Sequence, residues 1–173
     1  VNNQIIANTN NGIYALQLSE NKDAVDKQST LLHSAIDNPY FSVEQYDNQT
    51  ALVSSGAIGL NSYDTHTGVW RHIEKSNSQL STDLINTIFK DRDGNLWIGT
   101  FNKGLDVHYK KQSSFNTNAH LNKIIGNEFI NSIVNNPYKN ELILATRSKG
   151  VLSSREDGKI TINEKLKRLG LTN

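Results

Sequence analysis

Apolar and polar residues along this chain alternate in short runs bounded by glycine and Asp-Gly signals, a pattern that predicts strands. The passage Asp83–Tyr109, reading DLINTIFKDRDGNLWIGTFNKGLDVHY, carries it most clearly. Leu84–Lys90 is rich in apolar and β-branched residues, which suit a pleated, buried surface. Asp91–Asn95 follows as an Asp-Gly turn, with Gly94 expected at positive φ because it has no Cβ to clash. Leu96–Thr100 is apolar on both faces apart from Gly99, so it is predicted to be covered on both sides, with Trp97 buried between neighbouring sheets. Phe101–Gly104 turns the chain again, and Leu105–Tyr109 leaves as a third strand.

The same pattern recurs. Glycine followed by an apolar residue stands at Gly12, Gly59, Gly104 and Gly150, at spacings of 47, 45 and 46 residues. A strand of one type precedes each: Gln4–Thr9, Ala51–Ser55, Leu96–Thr100 and Leu142–Thr146. An inner strand precedes three of these, at Tyr40–Tyr46, Ile85–Lys90 and Ile130–Asn135. Outer strands follow at Tyr14–Leu18; at Leu60–Tyr63 and Val69–Ile73; at Asp106–Tyr109 and, weakly, around Phe115; and at Val151–Ser154 and Lys159–Ile162. A period of roughly 40–50 residues with several short strands per unit is the signature of propeller blades. A β-sandwich with turns at similar intervals is the alternative, and residues matching in register across the repeats argue against it.

The segment Ile85–Leu105 resembles the two-component regulator propeller repeat, whose core is an apolar strand, then D-x-x-G-N-L-W-I-G-T, then a G-L a few residues on. The resemblance implies an all-β fold: a β-propeller fragment of about four antiparallel blades, near 1–35, 36–80, 81–125 and 126–173, the first lacking its inner strand. Closure into a four-bladed ring would need Lys165–Thr172 as the missing strand. That segment, with three cations and a glycine, matches LINTIF poorly. The resemblance further implies a sensor domain on the periplasmic side of a membrane-anchored bacterial regulator, often a hybrid histidine kinase, with carbohydrate a frequent ligand. The remaining blades of a parent propeller are then expected as partners. The unpaired edge Gln4–Thr9 also predicts self-association of the fragment, because an open edge is a template for another strand.

Composition removes several classes. The 18 Lys and Arg against 17 Asp and Glu give a net charge of +1, which argues against nucleic acid as a partner. There are no cysteines, so disulfides and thiolate chemistry are excluded. No apolar run approaches the roughly 18 residues of a membrane span, so direct membrane insertion by this segment is not expected. The chain has no methionine and reads as a piece of something longer.

No catalytic set, metal site or cofactor emerges. Asp91, Asp93 and Asn95 alternate as in a calcium loop, but Gly94 comes fourth where an EF-hand places glycine sixth, so a turn explains them better. The Asp-box of sialidase propellers, S-x-D-x-G-x-x-W, fails because Arg92 holds its aspartate position. His33, His66, His72, His108 and His120 lack short metal-ligand spacing and read as surface residues. The inner strands carry Asn86 and Asn131 where a propeller enzyme would aim acids at the axis. What remains is a recognition surface. Loops joining second to third strands, and fourth strands to the next blade, share one rim. On it Phe101 offers a stacking face, Asn102 a carboxamide, and Lys103, Arg147 and Lys149 donors suited to carboxylate or sulfate. The same rim takes in Asn10-Asn11, Ser55–Ile58 and the connectors Glu74–Asp83 and Ala119–Phe129. A carbohydrate-active propeller enzyme, a lyase or hydrolase, is the second reading, since paired carboxylates can come from distant positions.

Overall fold

The structure, a computed structural model, describes residues 4–9, 11–18, 25–34, 42–54, 58–112, 114–155 and 160–162. Among them are four antiparallel sheets arranged as successive blades in an open arc. The first holds β1 (Gln4–Thr9), β2 (Gly12–Leu18) and β3 (Val25–Ser34). The second holds β4 (Val43–Gln45), β5 (Thr50–Ser54), β6 (Leu60–Asp64) and β7 (Trp70–Ile73). The third holds β8 (Ile85–Lys90), β9 (Leu96–Thr100), β10 (Leu105–His108) and β11 (Phe115–Thr117). The fourth holds β12 (Ile130–Asn135), β13 (Glu141–Thr146), β14 (Val151–Arg155) and β15 (Ile160–Ile162). Each sheet runs in chain order from its innermost strand outward, the arrangement of a propeller blade.

Strand register fixes the position of β1 within the first blade. Asn8 pairs with Ile13 as Ser54 pairs with Leu60, Gly99 with Leu105 and Ala145 with Val151. β1 therefore occupies the second position, as the repeat predicts. Two elements depart from expectation. β3 runs ten residues through VDKQSTLLHS, a stretch in which polar residues hide the strand signal. The connector after β11 contains a helix, α1 (Ala119–Ile125), which buries Leu121 and Ile125 one turn apart. Its N-cap, Asn118, accepts from the Leu121 N–H, and Gly126 ends it at φ 70°. Phe41 and Tyr40 of the expected inner strand, Asn10, Ser55–Ala57, the Asp157-Gly158 turn, Lys159 and the connector Asn163–Asn173 lie outside the described residues.

The blades are held face to face by two apolar clusters. Leu52, Leu60, Leu80, Ile85, Ile88, Leu96 and Ile98 fill the junction between the second and third blades. Leu105, Leu121, Ile125, Ile130, Ile133, Leu142, Leu144 and Leu152 fill that between the third and fourth, with Phe89 and Trp97 packed against them. Full burial of each aliphatic side chain is worth about 1.5–3 kcal/mol. Trp97 sits between blades as expected but is only half-buried, because its outer part lines a cleft at the rim. Gly99 marks the closest approach. A Cβ there would lie 2.6 Å from Thr87 Cγ2 and 2.8 Å from Ile130 Cγ2, so only glycine lets β12 pack this near.

Candidate functional site

The rim singled out from the sequence is built on threonine-anchored turns. Thr100 Oγ1 donates to Gly104 O at 2.9 Å and accepts from Lys103 N at 2.8 Å. Thr146 repeats this with Gly150 O (2.8 Å) and Lys149 N (3.1 Å). A hydroxyl that both donates and accepts across a tight turn fixes the loop's shape and leaves its intervening side chains outward. Asn102, Lys103 and Arg147 are accordingly exposed.

The structure brings the two loops to one segment, Glu128–Phe129. The Phe101 ring meets Phe129 edge to face, with centroids 4.4 Å apart at 73°. Arg147 N donates to Phe129 O at 3.0 Å, so both loops flank that residue. Ser148 donates to the Glu128 carboxylate through its hydroxyl, and through its N–H at 3.1 Å. Burial disfavours the Glu128 charge, but these bonds and the neighbouring Lys149 outweigh it and hold the carboxyl below its ordinary range. Lys149 differs from the others. Its ammonium donates to Ile124 O and Ile125 O, both at 2.9 Å, at the carbonyl end of α1 where a cation is favoured. It serves the helix, and Phe101 serves Phe129. The outward-facing chemistry of this rim is therefore Asn102, Lys103 and Arg147.

Sequence reasoning missed Asn122, which docks α1 onto the β9–β10 loop. Its Oδ1 accepts from Leu105 N at 2.8 Å, and its Nδ2 donates to Lys103 O at 3.2 Å and Leu105 O at 2.9 Å. The signal was the helix itself: an Asn cap, Leu121 and Ile125 four apart, then Gly126.

On the opposite rim, Asp91 organises its turn. Its carboxylate accepts from Asp93 N (3.0 Å), Asn95 N (2.8 Å), Asn95 Nδ2 (2.9 Å) and Trp97 Nε1 (2.8 Å). Gly94 stands at φ 83°, as the turn requires. Asp47 and Asn136 cap the corresponding hairpins of the second and fourth blades with similar bonds to backbone N–H groups. Among the described residues no three His, Cys, Asp or Glu side chains converge as a metal site would require.

Asp106 and His108 lie in the interior. Asp106 is fully buried, and burial pushes its carboxyl above the ordinary value against the hydrogen bonds from Ser81 N (2.8 Å) and Thr117 Oγ1 (3.2 Å). His108 corrects the expectation of surface histidines. It is buried between the second and third blades, 5.1 Å from Phe115 and 6.0 Å from Tyr46, and burial lowers its pKa. Its Nδ1 finds no partner among the described residues. His66, His72 and His120 are exposed. Asn86, considered for the axis, ties blades together instead: its Nδ2 donates to Ile130 O at 2.6 Å.

Residues 79–102 match the model of the family described as two component regulator propeller. No curated protein sequence matches the chain. Among solved structures, the chain is similar to the extracellular domain assigned to the one component system BT4673 of B. thetaiotaomicron, at 16% identity and TM-score 0.62, covering 92% of this chain and 21% of that one. It is similar to the extracellular domain assigned to the hybrid two component system BT3049 of the same organism, at 18% identity and TM-score 0.60, covering 88% and 18%. PorZ, a surface component of the type-IX secretion system of Porphyromonas gingivalis, matches at 15% identity and TM-score 0.53, covering 86% and 23%. These likenesses are of fold, and the chain spans about a fifth of the length of each structure. Among the described residues no helix is long and apolar enough to cross a membrane.

Proposed function

We propose that this chain is part of a non-catalytic recognition module on the periplasmic side of a bacterial two-component regulator, sensing carbohydrate for a membrane-anchored histidine kinase. The observation that carries the reading is the regulator propeller repeat at 79–102, set in an arc of blades whose loops are pinned by Thr100 and Thr146 and whose outward groups are polar. A carboxamide and two cations held on rigid turns suit hydroxyl, carboxylate or sulfate oxygens of an oligosaccharide. Signalling then requires that the ligand bind one state of the parent more tightly than the other, since equal affinity shifts nothing.

Two carboxylates already committed to hydrogen bonds favour recognition over the alternative of a lyase or hydrolase. Asp106 faces Ser81 and Thr117, and Asp91 is engaged by its own turn, so neither is offered to a glycosidic bond. Calorimetry with a panel of oligosaccharides, run beside a reducing-end assay, tests the reading. Binding without new reducing ends or unsaturated products is the expected result; turnover would establish the enzyme instead.

The remaining blades of a parent propeller, or a second copy of this fragment, are the partners this reading assigns to the open arc. β1 pairs with β2 on one side only among the described residues, and Ile5 is 44% exposed. Sedimentation of the fragment at micromolar concentration is expected to show self-association; a monomer at all concentrations would remove the second copy from the account.

A further inference from the structure

The cleft between the third and fourth blades, on the rim opposite Asn102, Lys103 and Arg147, has the make-up of a ligand site. It encloses about 720 Å³, inside the range of roughly 300–1,000 Å³ typical of small-molecule sites. The Asp91–Asn95 turn and the β12–β13 hairpin form its two walls.

Its aromatic component is preorganised. Trp97 is half-buried against the Leu121 and Leu142 cluster and lines the cleft. Its indole N–H is fixed by Asp91 at 2.8 Å, and Asp91 is itself held by three further donors. The ring therefore has little rotational freedom left to lose when a ligand arrives. Tyr109 adds a second aromatic side chain.

Planar polar groups complete the lining. Glu141, its side chain 9% exposed, faces Arg155 with Oε2 and Nε 4.0 Å apart, and its Oε1 accepts from Asn136 Nδ2 at 2.7 Å. The Arg155 side chain is 56% exposed, so its remaining donors reach solvent at the mouth. Neither the Tyr109 hydroxyl nor the Asn135 carboxamide has a hydrogen-bond partner among the described residues. Guanidinium, carboxylate and carboxamide pairs suit vicinal hydroxyls, while the C–H face of a pyranose carries the partial positive charge that an indole face attracts.

Charge selects among sugars. Asp91, Asp93 and Glu141 against Arg92 and Arg155 leave the lining one negative charge in excess. That excess disfavours a uronate or sulfate relative to a neutral sugar. The other clefts differ. That between the second and third blades encloses about 380 Å³, and Leu52 occupies the position Trp97 holds in its blade.

We infer that this cleft binds a neutral saccharide, with Trp97 as the stacking platform and Asn135, Tyr109 and Arg155 as hydroxyl partners. The inference rests on the carbohydrate reading above but assigns a second site.

The test titrates the chain, carrying Trp70→Phe so that Trp97 alone reports, with cellotriose, maltotriose, xylotriose, mannotriose and trigalacturonate. Trp97 emission and calorimetry are followed together. The expected result is binding of at least one neutral trisaccharide with a shift in emission, and a loss of about tenfold in affinity for Asn135→Ala and for Arg155→Ala at unchanged thermal midpoint. Binding that ignores these variants but weakens in Lys103→Ala/Arg147→Ala would overturn the cleft and leave the rim reading intact. Binding of trigalacturonate alone would overturn the neutral assignment. Binding of none of the five would remove the cleft together with carbohydrate as the ligand class for it.

Discussion

The two junctions flanking the third blade use the same register and different chemistry. Glu44 pairs with Leu52 in the second blade as Phe89 pairs with Trp97 in the third, and Ser54 stands where Gly99 stands. The junction between the second and third blades combines an aliphatic cluster with the His108, Phe115 and Tyr46 rings and is charged at its margin. Lys90 N donates to Glu44 Oε2 at 3.1 Å, Lys90 Nζ to Gln45 O at 2.5 Å, and Ile88 N to Ser42 Oγ at 3.1 Å. The junction between the third and fourth blades has two aromatics, a glycine at the point of closest approach, a helix and one carboxamide across it. Backbone pairing sets where a blade meets the next. The side chains at the contact then decide how wide a cleft the rim leaves, about 380 Å³ at one junction and about 720 Å³ at the other.

The largest effect expected is that of Trp97→Ala. It removes the aromatic wall of one junction and should cost about 3 kcal/mol, the lower end for a large core aromatic because Trp97 is half-exposed. Urea unfolding measures it; a loss below about 1 kcal/mol would mean the aromatic is not what joins these blades.

Gly99→Ala tests the close approach. A methyl placed 2.6 Å from Thr87 Cγ2 must push β8 or β12 aside, for which about 1–3 kcal/mol is expected. Ser54→Ala, at the equivalent place, loses only the bond from Ser42 N at 2.9 Å, worth about 1 kcal/mol. Equal costs at the two positions would erase the contrast between the junctions.

Cross-blade polar ties come next. Asn86→Ala should cost about 1 kcal/mol, and Lys90→Met less, because the Lys90 bonds lie at an exposed margin where solvent competes. Thermal unfolding of the two variants in parallel gives the order.

The smallest effect at neutral pH, and the one with a sign to check, belongs to Asp106. Burial raises its folded pKa above the unfolded value. The folded state therefore holds its proton more tightly, and that contribution is present at low pH and lost as pH rises through the folded pKa. Asp106→Asn keeps an acceptor for Ser81 N and carries no charge. The variant should flatten the acid-to-neutral stability profile and be at least as stable as the parent at pH 7. A steep loss of stability at both pH extremes would show that the carboxylate charge is itself needed.

Much of this fold is legible because the repeat states it several times. Gly104, Asp91 and the β8–β9 pattern each recur about one period away, so errors in any one blade are corrected by the others. β3 was hidden because an outermost strand faces solvent and needs no apolar alternation. Helix α1 was hidden because seven residues give one turn of apolar spacing, and the caps Asn118 and Gly126 were the better signal. On the rim, Asn102, Lys103 and Arg147 stand exposed on turns whose shape Thr100 and Thr146 fix. Lys149 and Phe101 could not be read the same way. Their partners, the end of α1 and Phe129, come from the connector, and sequence does not say which way a long side chain folds back.

The central claim is that blades three and four carry recognition without chemistry. Amide-shift mapping of the ¹⁵N-labelled chain during titration with oligosaccharides tests it most directly, with the sugar recovered and sized afterwards. The account predicts saturable shifts confined to the Asn102–Lys103 and Arg147 loops or to the cleft lined by Trp97 and Asn135, with the sugar recovered intact. Cleaved sugar, or saturable shifts elsewhere on the arc and at neither of these places, would contradict it.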